Sequence, residues 1–264
     1  MKIRILLSLI LIITCHKTDN VLINNVFAHE STHTHQPTTL PKIDWSFGGL
    51  FGVFKRDQLQ RGYQVYKEVC AACHGIKRVS YRNLNALGFS EAAIKVLAAE
   101  HLTQDGPNEE GKMFDRPSLP KDPMAGPFPN DNAARVANNG ALPPDLSLIV
   151  KARVGGADYV HALLVGFTTP PTDVHVENGR HYNAYFPGHE ISMAPPLHDG
   201  QVTYSDGTVA STDQMSKDVV TFLAWAAEPE MEARKQLGVK VFLYLLLMSG
   251  LFYATMRRIW RRVK

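Results

Sequence analysis

Blocks of apolar and polar residues succeed one another along the chain, and the spacing within each block points to a different element. Lys2 and Arg4 precede an apolar run from Ile5 to Ile13, and Val26-Phe27-Ala28 offers small residues for cleavage, so residues 1–28 read as a secretory signal peptide. The run is too short to span a bilayer. Lipidation at Cys15 is a weaker reading, because Thr14 is a poor residue to precede a lipidated cysteine. Residues 29–44 are polar and rich in His, Thr and Pro, which predicts a flexible mature N-terminus; His29, His33 and His35 fit a disordered tract better than a metal site.

Trp45 to Phe54 is aromatic and rich in glycine, and from Asp57 to Val69 the spacing of Leu59, Tyr63, Tyr66 and Val69 predicts a helix. A second helix is predicted from near Ser90, where Ser followed by Glu resembles a helix start, to Leu102. Between Gln104 and Leu148 the composition turns to Gly, Pro, Asn and Asp, which predicts long ordered loops with one short helix at Ala133–Asn139. Leu148 to Val165 reads as helical in parts, and Val174 to Tyr185 as polar and irregular. Val239 to Met256 is almost wholly apolar apart from Lys240. Such a stretch rises about 27 Å as a helix, enough to span a bilayer with help from its flanks. Arg257, Arg258, Arg261, Arg262 and Lys264 follow it, which places the C-terminus in the cytoplasm. The expected division is therefore a body at residues 45–236 facing the periplasm, a membrane anchor at 237–256 and a cytoplasmic basic tail at 257–264.

Composition and charge narrow the class. With 264 residues, 45% of them apolar, the chain is long enough for one main domain beside membrane-related segments. The formal charge of +3 hides an asymmetry, because nine of the 28 bases lie at the two ends and only one acid, Asp19, goes with them. Nineteen bases then face 24 acids in the middle, a net of about −5, which argues against nucleic acid as a partner.

The densest chemical signal is CAACH, Cys70 to His74. Two thiols at this spacing can add to the vinyl groups of a haem while the adjoining imidazole ligates iron, so the pentapeptide reads as a c-type haem attachment site. A zinc site would need a second ligand pair, and the remaining cysteine is Cys15 in the leader. A redox dithiol would sit in a βαβ context, whereas this motif follows a helical stretch and precedes what reads as a polar, basic loop. Loops lying over a flat apolar macrocycle would also explain the Gly- and Pro-rich middle. For the second iron position Met193 stands out, held between prolines in YFPGHEISMAPPL, and a thioether there would raise the potential. His181, His189 and His198 are rivals in the same region, core packing is an ordinary role for such a methionine, and spacing does not choose among them.

The motifs CAACH, YRNL, RPSLP, AARVANNGALPPDLS, YFPG with SMAPPL, and FLAWAAEPE, in that order from Trp45 to the C-terminus, resemble the cytochrome c1 family. These are the haem-bearing subunits of quinol:cytochrome c oxidoreductases in bacteria and mitochondria. The resemblance implies a mainly α, loop-rich c-type cytochrome domain with one C-terminal transmembrane helix. It implies one covalently attached haem c on Cys70 and Cys73, with His74 and Met193 as the axial metal ligands. Further haem contacts implied by it are Asn138, Ala141, Pro143, Pro144, Ile149, Arg153, Tyr159, Leu163, Leu164 and Phe186, with Arg153 and Tyr159 facing a propionate. Phe128 stands where relatives often have tyrosine.

The implied function is electron transfer from a Rieske iron-sulfur protein to a basic cytochrome c, beside cytochrome b, in a dimeric complex in the inner membrane that supports proton-motive force. The chain would be an electron-transfer subunit of the oxidoreductase, with no catalytic bond-making site of its own. The short leader favours a bacterial host over a mitochondrial one. Asp105, Glu109, Glu110 and Asp115, against Lys112 alone, form the acidic loop expected to meet the acceptor. The competing class is a catalytic or gas-sensing haem subunit whose sixth iron position is exchangeable.

Overall fold

The computed structural model describes residues 39–172 and 174–263. The signal peptide and the three histidines of the N-terminal tract lie outside these residues. Along the chain come helix α1 (Arg56–Glu68), a 3-10 turn (Cys70–Ala72), strand β1 (Ile76–Ser80), a 3-10 helix (Tyr81–Leu87) and α2 (Glu91–Ala99). Then follow β2 (Leu102–Asp105), β3 (Phe114–Pro117), β4 (Pro123–Met124), α3 (Asp131–Ala137) and α4 (Gly156–Val165). The hairpin strands β5 (His181–Tyr182) and β6 (Glu190–Ile191) precede α5 (Thr212–Ala227) and α6 (Met231–Arg262). The architecture is mostly helical and loop-rich, with short antiparallel pairs β1·β4, β2·β3 and β5·β6 among the described residues.

The core is built on α5. Ser211 caps its start by accepting from the Gln214 N–H, and the helix is buried almost continuously from Met215 to Ala226. A helix apolar on every side needs cover on every side. α1 supplies one wall through Leu59, Gly62, Tyr63 and Tyr66, which recur at helical spacing, and α4 supplies another. Gly62 lets the α1 and α5 backbones touch: a Cβ there would lie 2.1 Å from the Asp218 carbonyl oxygen and 2.8 Å from the Phe222 Cβ.

Several polar groups inside the core are paired. Asp218, wholly buried, accepts from Arg61 Nε at 3.0 Å and from Gln214 Nε2 at 2.9 Å, while Arg61 Nη1 reaches Asp206 at 2.6 Å. His161 on α4 bonds through Nδ1 to Ser216 Oγ at 2.9 Å, meets Trp45 edge-on and is held neutral by burial, which lowers its pKa. Trp45 Nε1 and the Ile43 N–H both donate to Asp158 Oδ1, at 2.7 and 3.1 Å. The segment expected to be flexible through residue 44 is thus fastened from Ile43 onward.

Several local expectations are corrected. The predicted helix at 57–69 occupies 56–68, with Val69 as its C-cap. The second helix starts at Ser90 as expected, Ser90 Oγ accepting from the Ala93 N–H at 3.2 Å, but ends at Ala99 because Leu102 begins β2. The short helix lies at 131–137, set by Asn130, whose Oδ1 accepts from the Ala133 N–H. After CAACH comes strand β1, not a loop, pairing with β4 from inside the Pro-rich stretch. The apolar anchor is part of a longer helix, Met231–Arg262, because Met231 to Gly238 continue it toward the head. That helix is long and apolar enough to cross a membrane.

The Gly62 contact is testable. Gly62→Ala should destabilise the detergent-solubilised protein by about 3 kcal/mol, the upper part of the usual range for overpacking. The guanidinium unfolding midpoint, followed by far-ultraviolet circular dichroism, reports it. An unchanged midpoint would contradict the close α1–α5 approach.

Candidate haem site

Helix α1 delivers the CAACH turn. As α1 ends, the Val69 N–H returns to Val65 O, and the chain tightens into a 3-10 turn in which the Cys73 and His74 N–H groups donate to Cys70 O at 3.1 and 2.9 Å. Cys70, half-buried, and Cys73, exposed, lie on one turn and are not joined in a disulfide. Tyr66 Oη donates to His74 O at 3.2 Å, and burial raises the Tyr66 pKa, so the phenol stays a donor. Immediately after, Gly75 lies against the backbone of Gly126, where a Cβ would come within 2.5 Å of the Gly126 nitrogen.

The imidazole of His74 is oriented by the loop that follows α3. Its Nδ1 lies 2.7 Å from Pro144 O. A carbonyl only accepts, so Nδ1 carries the proton and Nε2 presents its lone pair, the arrangement by which a second partner fixes the tautomer of a ligating histidine. Burial lowers the His74 pKa against the Pro144 bond and the Asp145 charge, which favours the neutral, metal-binding form. The same loop bonds to the chain beyond His74 through Leu146 N–H to Gly75 O, Lys77 N–H to Asp145 Oδ2 and Arg78 N–H to Ser147 Oγ.

Asn138 ends α3, its Nδ2 donating to Ala134 O at 2.7 Å and its carbonyl accepting from the Ala141 N–H at 2.9 Å. Asn139 and Gly140 are both left-handed, with φ of 51° and 86°, and turn the chain toward Ala141, Pro143 and Pro144. Ile149, half-buried, follows one 3-10-like turn later, its N–H on Leu146 O at 3.2 Å. Arg153 is exposed, and Tyr159 is half-buried on α4. Burial raises the Tyr159 pKa, and the Arg153 charge opposes it.

Leu163 and Leu164, also on α4 and half-buried, meet the hairpin through a residue the sequence reading missed. Asn183 is fully buried: its Nδ2 donates to Leu163 O at 2.8 Å and its Oδ1 accepts from the N–H groups of Tyr185 and Phe186 at 3.0 and 3.2 Å. Its main chain closes the loop, the Asn183 N–H donating to His189 O at 2.8 Å. Phe186 therefore sits in the β5–β6 connection, and Met193, half-buried, lies just past β6 on the same hairpin. An asparagine in a short loop between aromatic residues is an Asx-turn signal that could have flagged it.

The structure thus joins His74 to Pro144, Asn138 to Ala141, and Leu163 to Phe186 through Asn183. No hydrogen bond or ring contact among the described residues links Met193 to these pairs. Of its rivals, His181 and His198 line a cavity of about 730 Å³ with Leu164, Leu197 and Arg180, whose walls include neither His74 nor Met193. His189 Nδ1 bonds Asn183 O at 3.2 Å, and its ring stacks on Tyr182.

This donor set fits a haem c: paired thiols on one turn, an adjoining imidazole with a committed Nδ1, and half-buried apolar side chains from the 141–149 loop, α4 and the hairpin. It fits its competitors poorly. Burial, with Cys73 adding, pushes the Cys70 thiol up to about 12, so the thiolate a redox dithiol requires is disfavoured. The chain around it runs helix, 3-10 turn, antiparallel strand and not βαβ. Among the described residues no group of three or more His, Cys, Asp or Glu side chains is placed to hold a metal ion.

Comparison with known proteins agrees. Residues 45–263 match the Cytochrome C1 family. A cytochrome c1 of Rhodospirillum rubrum is 50% identical over 242 residues, covering 86% of this chain and 89% of that protein. A mitochondrial cytochrome c1 heme protein of Solanum tuberosum is 49% identical over 219 residues, covering 82% and 84%. A cytochrome b/c1 of Bradyrhizobium diazoefficiens is 50% identical over 242 residues, covering 83% of this chain and 35% of the longer protein. The paired cysteines and oriented histidine of the CAACH turn, the mostly helical loop-rich body with its apolar C-terminal helix, and these relatives have one common reading: the chain belongs to the cytochrome c1 family, electron-transport proteins that carry a covalently bound haem c.

Proposed function

We propose that this chain is the membrane-anchored electron carrier of a quinol:cytochrome c oxidoreductase, receiving electrons from a Rieske iron-sulfur protein and passing them to a cytochrome c, so contributing to proton-motive force. The observation that carries the reading is the His74 imidazole, its Nδ1 committed to Pro144 O and its Nε2 left for iron, on a CAACH turn in a chain of this family. Haem c, when bound, supplies a one-electron couple between ferrous and ferric iron. Cys70 and Cys73 would hold it covalently and His74 would ligate it. Met193 would be the second iron ligand, and its thioether, a weaker donor than imidazole, would favour ferrous iron and keep the potential high.

Asn138, Ala141, Pro143, Pro144, Ile149, Leu163, Leu164 and Phe186 would line the haem and exclude water, and Arg153 with Tyr159 would neutralise a propionate. The interaction between the Arg153 charge and the Tyr159 phenol supports that last pairing. Residues 45–236 would face the periplasm, or the corresponding side of a mitochondrial inner membrane, with the anchor at 237–256 and the basic tail at 257–264 on the opposite side. Cytochrome b is the expected membrane neighbour. A relative named cytochrome b/c1 supports it. A dimeric complex follows from the same reading.

The acidic loop is less acidic than its sequence suggests. Arg116 bridges Asp105 at 2.5 Å and Asp122 at 2.6 Å, and Lys112 pairs with Glu110 at 3.2 Å. Glu109 and Asp115 take part in no ion pair among the described residues. They remain available to a basic partner. Opposite charge speeds encounter without demanding a large interface, which suits a carrier that must bind and release quickly.

Met193→Leu should leave haem covalently attached but lower its midpoint potential by on the order of 0.1 V or more, measured by redox titration. An unchanged potential would remove Met193 from iron. The ferrous native protein should not bind carbon monoxide; binding would favour an exchangeable sixth position and a catalytic or sensing role. Replacing Glu109 and Glu110 together by Gln should slow second-order reduction of a basic cytochrome c at low salt, with the haem spectrum unchanged, and added salt should slow the native reaction. Stopped-flow rates indifferent to both would place docking elsewhere.

A further inference from the structure

Beside the start of α6 the chain builds a small closed loop. The Gly48 N–H donates to Trp45 O at 2.8 Å and the Val53 N–H to Ser46 O at 2.9 Å, so residues 46–53 return on themselves. The turn is tight enough that a Cβ on Gly52 would fall 1.9 Å from Gly48 O. The first turns of α6 hold it. Lys235 Nζ donates to Phe47 O at 2.8 Å and to Gly52 O at 3.1 Å, capping both sides of the loop. Glu232 accepts from the Phe54 N–H at 2.7 Å and from Arg56 Nη2 at 3.0 Å, fixing the chain as it leaves the loop.

The tip of this loop is apolar and bare. Phe51 is 78% exposed, Leu50 65% and Val53 52%, although Phe47 and Phe54 beside them pack inward on each other at 5.1 Å. The inner pair of aromatics is packed and the Leu-Phe-Val cluster faces outward, so this exposed apolar patch calls for an external apolar contact.

Position along α6 identifies that contact. Lys235 precedes Val239, where the long apolar run begins, by about 6 Å of helix rise. The headgroup layer on each face of a bilayer is about 5–8 Å thick, from the difference between hydrocarbon and full bilayer thickness. A loop clamped on Lys235 lies at that level when the apolar run fills the hydrocarbon. Leu237 and Val241, also exposed, begin the apolar surface of the helix just below this level. Aromatic and aliphatic side chains at this depth suit the interface, where the rings enter the acyl boundary and the loop carbonyls stay among polar groups.

We propose that the Leu50-Phe51-Val53 tip enters the lipid interface on the head side of the bilayer, a second membrane contact that works with α6 to fix how the head stands on the membrane. The inference rests on α6 spanning the bilayer. Its test uses the full-length haem-loaded chain, with Cys15→Ser where that residue is retained, reconstituted in phosphatidylethanolamine–phosphatidylglycerol vesicles. Single nitroxide labels go on Phe51→Cys, on Leu50→Cys as a second tip site, on Val136→Cys as an aqueous control at 85% exposure, and on Leu246→Cys within α6. The readout is the ratio of oxygen to nickel-chelate accessibility.

The tip labels should give a ratio several-fold above that at Val136 and approaching that at Leu246, both in the isolated chain and in the intact complex. A water-like ratio at the tip with a lipid-like one at Leu246 would overturn the loop contact and leave the anchor standing. A water-like ratio at Leu246 would overturn the anchor and the inference with it. A tip shielded from both reagents in the intact complex would show that another subunit covers it, which equally overturns a lipid contact.

Discussion

Residues 74–78 and 144–147 are stitched side by side: His74 Nδ1 to Pro144 O, Leu146 N–H to Gly75 O, Lys77 N–H to Asp145 Oδ2 and Arg78 N–H to Ser147 Oγ. The site depends on this seam. It joins the turn that bears the thiols to a loop with little regular structure of its own, and it sets the imidazole's tautomer. Proline at 144 has no N–H to compete, so the local polarity there is that of an acceptor. Gly75 contributes by lacking a side chain, since the Gly126 backbone passes where a Cβ would stand. Of these bonds, the one from Leu146 N–H to Gly75 O joins two buried residues, and its loss would leave buried groups unpaired.

The seam is only as well placed as α1, which carries the turn at its C-terminal end. Buried charge helps to set that placement. Asp218 has no exposure and its oxygens are met by Arg61 and Gln214, while Arg61 also reaches Asp206 on the loop before α5. Such pairs add little net stability, because the desolvation cost offsets most of the attraction. Their value here is in register. Sliding α1 along α5 by a turn would strand Asp218 without its guanidinium and drive Gly62 away from the one point where the backbones can meet.

How much of this was legible follows from how local each signal is. The cysteines and histidine could be read because their chemistry sits in one pentapeptide, and α1 and α2 because their periodicity or cap does. The anchor was legible because apolar length is a property of the sequence alone. Helix α5 was not predicted by periodicity, since VVTFLAWAA is apolar on every face and a helix buried all round has no stripe to detect. The strands of β1·β4 were missed because β4 is short and begins at Pro123, in a region whose composition argues for loop. The roles expected of Pro144, Leu163 and Phe186 came only from resemblance to a family, because what each touches is remote or indirect: Pro144 meets a residue 70 positions away, and Leu163 and Phe186 are linked through Asn183. The acid count misled for a similar reason, because Arg116 turns back across the hairpin onto Asp105.

The clamp of Glu232 and Lys235 on residues 47–56 removes the swivel that a short tether between head and anchor would otherwise provide. Only Glu228, Pro229 and Glu230 separate α5 from α6, and Arg234 and Lys151 both pair with Glu228 at that joint. Helices adjust their tilt to the thickness of the bilayer they cross. In a chain hinged at this point the head would ignore such adjustment; in this one it is a lever, and each degree of tilt turns the head with it. The angle at which the head stands is thereby tied to the thickness of the membrane that α6 would cross.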